Sequence, residues 1–331
     1  MIKRSYALLV ILGSCLFTQV SFAKNNKVEI ADPTIFWDGA QYLMFGTEAP
    51  PQQGISVLTS QDLLHWQSIN STPAGYALHK TKNTFGDIGF WAPQVLKHQN
   101  QYLMAYTANE KIAIASSPQA AGLFQQSQIT SIDNNTRQID PFVFFDDDGT
   151  PYLYHVRLNK GNHIWVAELE DDLATIKTET LKKCLSVKPE TWEHTLLHRG
   201  KVVEGPTVLK HNNTYYLIYS ANHFKSDDYA VGYATAPTPQ GPWTRSENSP
   251  IIHRSIIEGY DGTGHGDFFI GQDNKLRYVF HAHASKTQVH PRQTLIVEAE
   301  FVPNSKGPDI LRVKPETLIQ PVQMSSTTLP Q

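Results

Sequence analysis

The chain has few of the features that stabilise a protein covalently or hold it in a membrane. Two of its 331 residues are cysteines, Cys15 and Cys184. We expect Cys15 to be removed with an N-terminal segment, so Cys184 would have no partner for a disulfide within the chain. After that segment no apolar run approaches the roughly 20 residues that cross a membrane. Stability must therefore come from packing, and we expect no membrane partner.

Other absences exclude whole classes of function. No glycine-rich loop opens a helix, as a phosphate- or nucleotide-binding enzyme requires, and no stretch shows sustained helical periodicity. The formal net charge is −3, and it becomes −5 if the N-terminal segment with Lys3 and Arg4 is removed. An acidic balance disfavours nucleic acid and anionic membranes as partners.

Residues 1–23 have the pattern of a secretory signal. Lys3 and Arg4 supply the positive start, residues 6–17 the apolar stretch, and Ser21-Phe22-Ala23 the small-residue cleavage pattern. We therefore expect a secreted or periplasmic protein. Lipid attachment at Cys15 is the alternative, because Leu12-Gly13-Ser14-Cys15 resembles a lipidation box.

A two-part phrase recurs five times in residues 24–331, which no linker divides and which we interpret as one domain. Its first half is a short apolar strand, at Asp32-Pro33-Thr34, Trp91-Ala92-Pro93, Asp140-Pro141-Phe142, Glu204-Gly205-Pro206 and His265-Gly266-Asp267. Its second half is aromatic-rich and begins at Tyr42, Tyr102, Tyr152, Tyr215 and Leu276. The successive starts lie 60, 50, 63 and 61 residues apart. This period predicts an all-β, five-bladed β-propeller with four-stranded blades around a central channel.

Three copies of the phrase carry a carboxylate, which we place at the same point of the repeat: Asp32, Asp140 and Glu204. Because the innermost strands of a propeller open at one mouth of its channel, these side chains should converge there. Converging carboxylates suit acid/base chemistry. For each acid taken alone, the alternative is a strand-end carboxylate that caps backbone N–H groups.

Several other groups could compete for a functional role. Glu190, Glu193 and Glu258 are rival acids, but none opens a repeat, so we interpret them as loop residues. His281 and His283 alternate on a strand without a partner at metal-ligand spacing and are interpreted as structural. The long insertion over residues 182–203 is expected to form one wall of the pocket.

With these motifs, and with Gly262-Thr263-Gly264-His265-Gly266, the chain resembles glycoside hydrolase family 43 from about residue 28 to 302. The resemblance implies an inverting mechanism. Asp32 would be the general base, Glu204 the general acid, and Asp140 would orient the sugar and raise the pKa of the acid. Such a mechanism needs one ionised and one protonated carboxyl, roughly 6.5–9.5 Å apart.

The resemblance implies further site residues. Arg292 would contact the sugar in the deepest subsite, and Trp91, with Phe90 beside it, would stack on a sugar face. The alternatives are a surface arginine and a core tryptophan. His265 would help to hold a structural calcium ion through water, or would only line the channel. No cofactor is expected to be required for the chemistry.

The function that the resemblance implies is an exo-acting α-L-arabinofuranosidase acting on plant-type polysaccharides or their fragments. A β-D-xylosidase and a galactan- or galactofuranose-directed glycosidase are alternatives, because the three acids do not distinguish among these sugars. A sugar-binding propeller without activity is an alternative of another class. The substrate partner is a carbohydrate in every case, and the oligomeric state is left open.

Overall fold

The computed structural model describes residues 26–69, 72, 75–195 and 200–324. The predicted signal segment, Cys15 and His198 lie outside these residues. The described chain is built almost wholly from β-strands, with one short 3₁₀ turn at Thr178–Thr180. In this part of the chain no helix has the length and apolar character needed to span a membrane.

Five sheets arise from the five repeats, each from consecutive strands joined mainly as antiparallel hairpins. The first sheet contains β1 (Asn26–Lys27), β2 (Ala31–Trp37), β3 (Tyr42–Thr47), β5 (Leu58–Ser60) and β6 (His65–Ser68), and β4 (Gly54–Ser56) pairs with β7 (Tyr76–His79) in a separate two-stranded sheet. The second contains β8 (Trp91–His98), β9 (Gln101–Ala108) and β10 (Lys111–Ser117). A bridge between Ser116 and Gln125 occupies the outer position of this second sheet.

The other three sheets have four strands each. The third contains β11 (Gln138–Phe145), β12 (Pro151–Leu158), β13 (Asn162–Glu168) and β14 (Lys182–Leu185). The fourth contains β15 (Val203–His211), β16 (Thr214–Ala221), β17 (Ala230–Ala236) and β18 (Thr244–Arg245). The fifth contains β19 (Gly264–Ile270), β20 (Leu276–Ala282), β21 (Gln293–Val302) and β22 (Ile310–Ile319).

The first strand of each sheet lies innermost. β2, β8, β11, β15 and β19 each contact the corresponding strands of the two neighbouring sheets, and β19 contacts β2, so the ring closes after five blades. An apolar cluster fills each of the five interfaces between neighbouring blades. Most residues of the inner strands are therefore buried. The predicted five-bladed propeller is confirmed.

The two ends of the described chain meet on the first blade. β23 (Val322–Gln323) pairs in parallel with β6, and β1 pairs antiparallel with β23. The outer edge of the first blade is thus completed by residues from both ends of the chain, which ties the last blade to the first.

Candidate active site

A bulge interrupts every inner strand near its start, where the pairing register with the second strand shifts. One residue at each bulge has a left-handed backbone: Asp32 (φ 48°), Ala92 (44°), Asp140 (55°), Gly205 (58°) and His265 (43°). Bulges of this kind re-aim side chains. Here they direct Asp32, Asp140 and His265 to the same mouth of the channel, where all three line one pocket.

Glu204 comes from a different position of the repeat than Asp32 and Asp140. Gly205 is the bulge residue of the fourth blade, and Glu204 precedes it, as Trp91 precedes Ala92 in the second blade. The prediction that the three acids share one point of the repeat is therefore wrong by one residue for Glu204. The three side chains nevertheless converge on the same pocket.

Asp32 is surrounded by basic groups. Arg292 Nη1 donates to Asp32 Oδ1 at 2.9 Å, and His281 Nδ1 and His265 Nδ1 lie 3.3 and 3.4 Å from the same oxygen. Burial alone would raise the pKa of Asp32, but the charge of Arg292 outweighs it and holds the pKa well below its ordinary value. Asp32 is therefore ionised near neutral pH.

Glu204 has neutral partners instead. Tyr229 Oη donates to Oε1 at 2.8 Å, and Asn162 Nδ2 donates to Oε2 at 2.7 Å. Burial raises the pKa of Glu204 to about 7, since it outweighs these two hydrogen bonds, and the charge of Asp32 acts in the same direction as burial. Glu204 can therefore hold a proton near neutral pH.

Asp140 lines the same pocket as the other two acids and lies close to His265. Burial raises the pKa of Asp140 well above its ordinary value, and the charges of Glu204 and Asp32 add to this effect. Its Oδ2 lies 3.9 Å from His265 Nδ1, whose imidazole is kept neutral by burial, which lowers its pKa. Asp140 and Glu204 thus both favour the protonated form beside an ionised Asp32.

The pocket above these groups has a volume of about 410 Å³, within the range of small-molecule sites. Trp91 and Arg292 both line it, as predicted from the sequence. Gly89 packs against the indole of Trp91, where a Cβ would come within 3.0 Å of the ring. Below the acids the channel narrows to about 20 Å³, room for about one water molecule. A sugar does not fit in this lower part of the channel.

Phe90 lies in the core, contrary to the prediction that it contacts the sugar. Its side chain is 0% exposed and stacks on Tyr106, with the ring centroids 6.2 Å apart, in the core between the first and second blades. It does not line the pocket, so its placement is that of a core residue and does not support a contact with substrate. Trp91, the next residue, begins β8 and lines the pocket.

The insertion over residues 182–203 is also placed differently from the expectation. Glu193 is buried and accepts hydrogen bonds from Arg245 and from Tyr219 Oη, which hold the insertion against the fourth blade. Of its described residues, only Val202 lines the pocket. The expected wall is instead supplied by other loops, including Phe224 of the β16–β17 loop and His290 of the β20–β21 loop.

Phe224 and Arg292 together form the side of the pocket across the channel from Trp91. The guanidinium of Arg292 lies over the Phe224 ring, 4.9 Å from its centroid. The carbonyl oxygen of Phe224 lies 2.8 Å from the Nε2 atom of the buried His283. The aromatic wall is thus fixed by the fifth blade.

Comparison with known proteins identifies this site. The family model for Glycosyl hydrolases family 43 matches residues 26–325, which is most of the chain. The chain belongs to glycoside hydrolase family 43. It is a glycosidase, and its substrates are carbohydrates. The alternative of a propeller without activity is set aside.

Relatives within family 43 differ in the activities for which they are named. A solved structure described as an endo-1,4-β-xylanase from Bacteroides thetaiotaomicron VPI-5482 is 38% identical, covers 92% of this chain and 100% of that one, and has a TM-score of 0.82. The β-D-galactofuranosidase xynD of Aspergillus niger is 25% identical and covers 75% of this chain and 73% of its own length. The extracellular endo-α-(1→5)-L-arabinanase 1 of Bacillus subtilis is 26% identical over 76% of each chain.

The described residues do not supply a set of direct ligands for the calcium ion that the family resemblance implies. Among the residues that the structure describes, no group of three His, Cys, Asp or Glu side chains is placed to hold a metal ion. Arg292 already balances the charge of Asp32, the acid nearest to His265. Calcium binds oxygen ligands, and His265 presents a ring nitrogen to the two acids.

Sequence reasoning missed three residues of this family 43 site. His281 was interpreted as structural, but it contacts both Asp32 and Arg292. Tyr229 and Asn162, the two partners of Glu204, belong to no recognised motif. The repeat did carry a signal for His281, because it follows the aromatic strand of the fifth copy where other copies have Thr47, Thr107 and Ser220.

Proposed function

We propose that this family 43 enzyme is an inverting, exo-acting α-L-arabinofuranosidase that acts on plant-type polysaccharides or their fragments. The observation that carries the mechanism is the contrast between two carboxyls of one pocket. Arg292 keeps Asp32 ionised, whereas burial raises the pKa of Glu204 to about 7. One carboxylate and one carboxylic acid are what an inverting glycosidase needs.

In the proposed reaction Glu204 donates its proton to the glycosidic oxygen as the bond to the anomeric carbon breaks. A water molecule on the opposite face of the sugar attacks that carbon, and Asp32 accepts a proton from this water. The products are the free sugar of inverted configuration and the shortened alcohol. After the products leave, Asp32 releases to solvent the proton that it took from the water, and Glu204 takes up a new proton from solvent.

Asp140 is proposed to orient the sugar and to favour the protonated form of Glu204. The close contact of Asp140 Oδ2 with the Gly205 N–H, at 3.2 Å, places a third carboxyl beside the strand that carries the acid. A negative charge on Asp140 opposes ionisation of Glu204. Arg292 and Trp91 are proposed to contact the sugar through a charged group and an aromatic face.

The choice of arabinose and of exo action has separate support. The relative from Bacillus subtilis is named for an α-(1→5)-L-arabinan. The channel below the acids has room for about one water molecule, so the deepest sugar is expected to be the end of a chain. Two alternatives also have support, since the relatives include one named for β-D-galactofuranosides and one described as a xylanase.

A panel of substrates tests the specificity. Aryl α-L-arabinofuranoside, β-D-xyloside, β-D-galactofuranoside and β-D-galactoside would be compared with arabinan and arabinoxylan, and the products separated by chromatography. We expect the arabinofuranoside to be cleaved fastest and the polymers to release free arabinose first. Early release of oligosaccharides would contradict exo action. Faster cleavage of another glycoside would show that its sugar, and not arabinose, is the preferred substrate. NMR of the first-formed sugar should show inverted configuration, and a retained product would overturn the proposed role of Asp32.

We propose export through the signal pattern of residues 1–23, which leaves a mature protein from about residue 24. The pattern of charge, apolar stretch and small residues supports this. Intact mass and N-terminal sequencing of the protein from its native cell would test it. A mature chain that starts at Cys15 with an added lipid mass would instead establish the lipoprotein alternative.

A calcium ion held through water beside His265 is kept as a separate proposal, supported only by the family resemblance, and no catalytic step uses it. A bound ion would stabilise the folded state by about 2.7 kcal/mol at a hundredfold excess over its dissociation constant. Chelation should then lower the melting temperature, and added calcium should restore it. Identical melting curves with and without chelator, together with a metal analysis that finds no bound ion, would contradict the calcium proposal.

A further inference from the structure

Each inner-strand bulge contains a backbone N–H that must find an acceptor, and the preceding blade supplies it. Four of the five N–H groups donate to a side chain on the second strand of that blade. These bonds run from Ala92 to Thr47 Oγ1 (2.9 Å), from Asp140 to Thr107 Oγ1 (3.0 Å), from His265 to Ser220 Oγ (2.8 Å) and from Asp32 to His281 Nδ1 (3.1 Å). The bonds join blades one to two, two to three, four to five and five to one.

The four acceptors occupy equivalent positions. Each pairs across its own blade with the residue just before the bulge: Thr47 with Ala31, Thr107 with Trp91, Ser220 with Glu204 and His281 with Gly264. In the third blade this position, opposite Ile139, is occupied by Val156. Val156 is 0% exposed, packs in the core between the third and fourth blades, and has no acceptor.

The fifth N–H belongs to Gly205, and it donates to Asp140 Oδ2 at 3.2 Å. A buried N–H without a partner is strongly disfavoured. We propose that Val156 is a positioning residue: because it offers no acceptor, the Asp140 carboxylate must take the Gly205 N–H and is thereby fixed against the strand that carries Glu204. The third blade thus completes the ring of hydrogen bonds with a site carboxylate instead of a hydroxyl.

This hydrogen bond would hold Asp140 in one orientation among its neighbours in the site. Glu204, Asp32, His265 and Arg292 all act on it from neighbouring strands and loops. The bond from Gly205 gives one oxygen a fixed partner and leaves the other for the pocket. The inference rests on the proposed role of Asp140, but the hydrogen bond itself can be tested without any activity measurement.

The first test measures thermal stability in two backgrounds. In Asp140→Ala the Gly205 N–H loses its acceptor, and adding Val156→Thr places a hydroxyl where the first, second and fourth blades have one. We expect the double variant Asp140→Ala/Val156→Thr to melt higher than Asp140→Ala, and Gly205 amide exchange to slow. Val156→Thr alone should not stabilise the otherwise native protein. The matched control is Val166→Thr, a valine of the same core cluster that is also 0% exposed, which should not rescue Asp140→Ala.

The second test measures turnover of the single variant. Val156→Thr competes for the Gly205 N–H and loosens Asp140, so kcat should fall by about five-fold, the effect of one hydrogen bond, whereas Val166→Thr should leave kcat unchanged. The inference would be overturned if Val156→Thr lowered the melting temperature equally in the otherwise native protein and in Asp140→Ala. If the single variant does not fold, the amide exchange of Gly205 in Asp140→Ala still decides, because unchanged protection there contradicts the bond. If the rescue succeeds but Asp140→Ala keeps full activity, the proposed role of Asp140 fails while the bond stands.

Discussion

Asp32, Asp140 and Glu204 share one pocket but have different neighbours. Asp32 faces Arg292, so its charged form is stabilised. Glu204 faces the neutral groups of Tyr229 and Asn162, and burial dominates its ionisation. Three acids of similar intrinsic strength thus differ in proton affinity because of the residues around them.

The first prediction separates the acid from the base. Glu204→Gln and Asp32→Asn should each lower turnover of natural substrates by about 10²–10⁴-fold, the usual contribution of a general acid or base. On aryl glycosides with good leaving groups Glu204→Gln should lose much less activity, because such groups need little protonation. Steady-state kinetics on both substrate types measures this. Equal losses of Glu204→Gln on the two substrates would contradict its role as the acid.

The second prediction concerns the pH dependence of turnover. The alkaline limb of the pH–rate profile should report loss of the proton that Glu204 donates, whose pKa is about 7. The proposed role of Asp140 requires a negative charge that opposes this loss. Asp140→Asn removes that charge, so the pKa of Glu204 should then fall and the alkaline limb should move to lower pH. The acid limb, which reports protonation of Asp32, should move less. If the alkaline limb does not move, Asp140 does not raise the pKa of Glu204, and orienting the sugar is its only remaining proposed role.

At the scale of the strand, the bulge decides which side chains reach the pocket. Each inner strand would otherwise alternate its side chains regularly, and the left-handed residue re-aims the chain at that point. In the fourth blade this residue is Gly205, which packs against the His265 ring. A residue without a side chain is required there because a neighbouring site residue already occupies the space.

The third prediction tests this packing with two glycines. In Gly205→Ala the new Cβ would lie 2.8 Å from the His265 ring, and the backbone has a φ of 58°. We expect a loss of about 3 kcal/mol in stability, from overpacking and backbone strain together, and a lower kcat. The control is Gly149→Ala in the β11–β12 turn, where φ is 87° and nothing lies within 4 Å. It should lose only about 1 kcal/mol and keep full activity. Equal effects of the two changes in denaturation and kinetics would contradict this account.

At the scale of the whole molecule, a propeller is stable only if its last blade is joined to its first. The core cluster between the fifth and first blades supplies part of this contact. The pairing of β23 with β6 and β1 supplies the rest through backbone hydrogen bonds, including those from Val322 N to Leu64 O and from Met324 N to Trp66 O.

The fourth prediction tests this closure by truncation. A chain that ends after Gln320 lacks β23 and leaves the outer edge of β6 unpaired. The loss of about three hydrogen bonds, worth about 3 kcal/mol, should lower the melting temperature by about 5 °C or more. A chain that ends after Met324 keeps these pairings and should melt like the full-length protein. Equal melting temperatures of the two truncated chains would show that β23 does not contribute to closure.

Much of the fold and part of the site could be predicted from the sequence. The fivefold phrase determined the number of blades, since a repeat that cannot bury its apolar faces alone must stack against its neighbours. The phrase also placed Asp32, Asp140, Glu204 and Trp91 at one mouth of the channel, and the family resemblance added Arg292; all five line one pocket. The roles of these residues remain proposals.

Only the tertiary structure decided the details that depend on contacts between blades. Phe90 and Trp91 are adjacent in sequence, yet one lies in the core and the other in the pocket. His281 joins Asp32 because the fifth blade closes on the first, a contact between residues 249 positions apart. Local pattern predicts which strands form, because it depends on near neighbours along the chain. The partners of each acid, and hence its pKa, are set by residues that only the closed ring brings together.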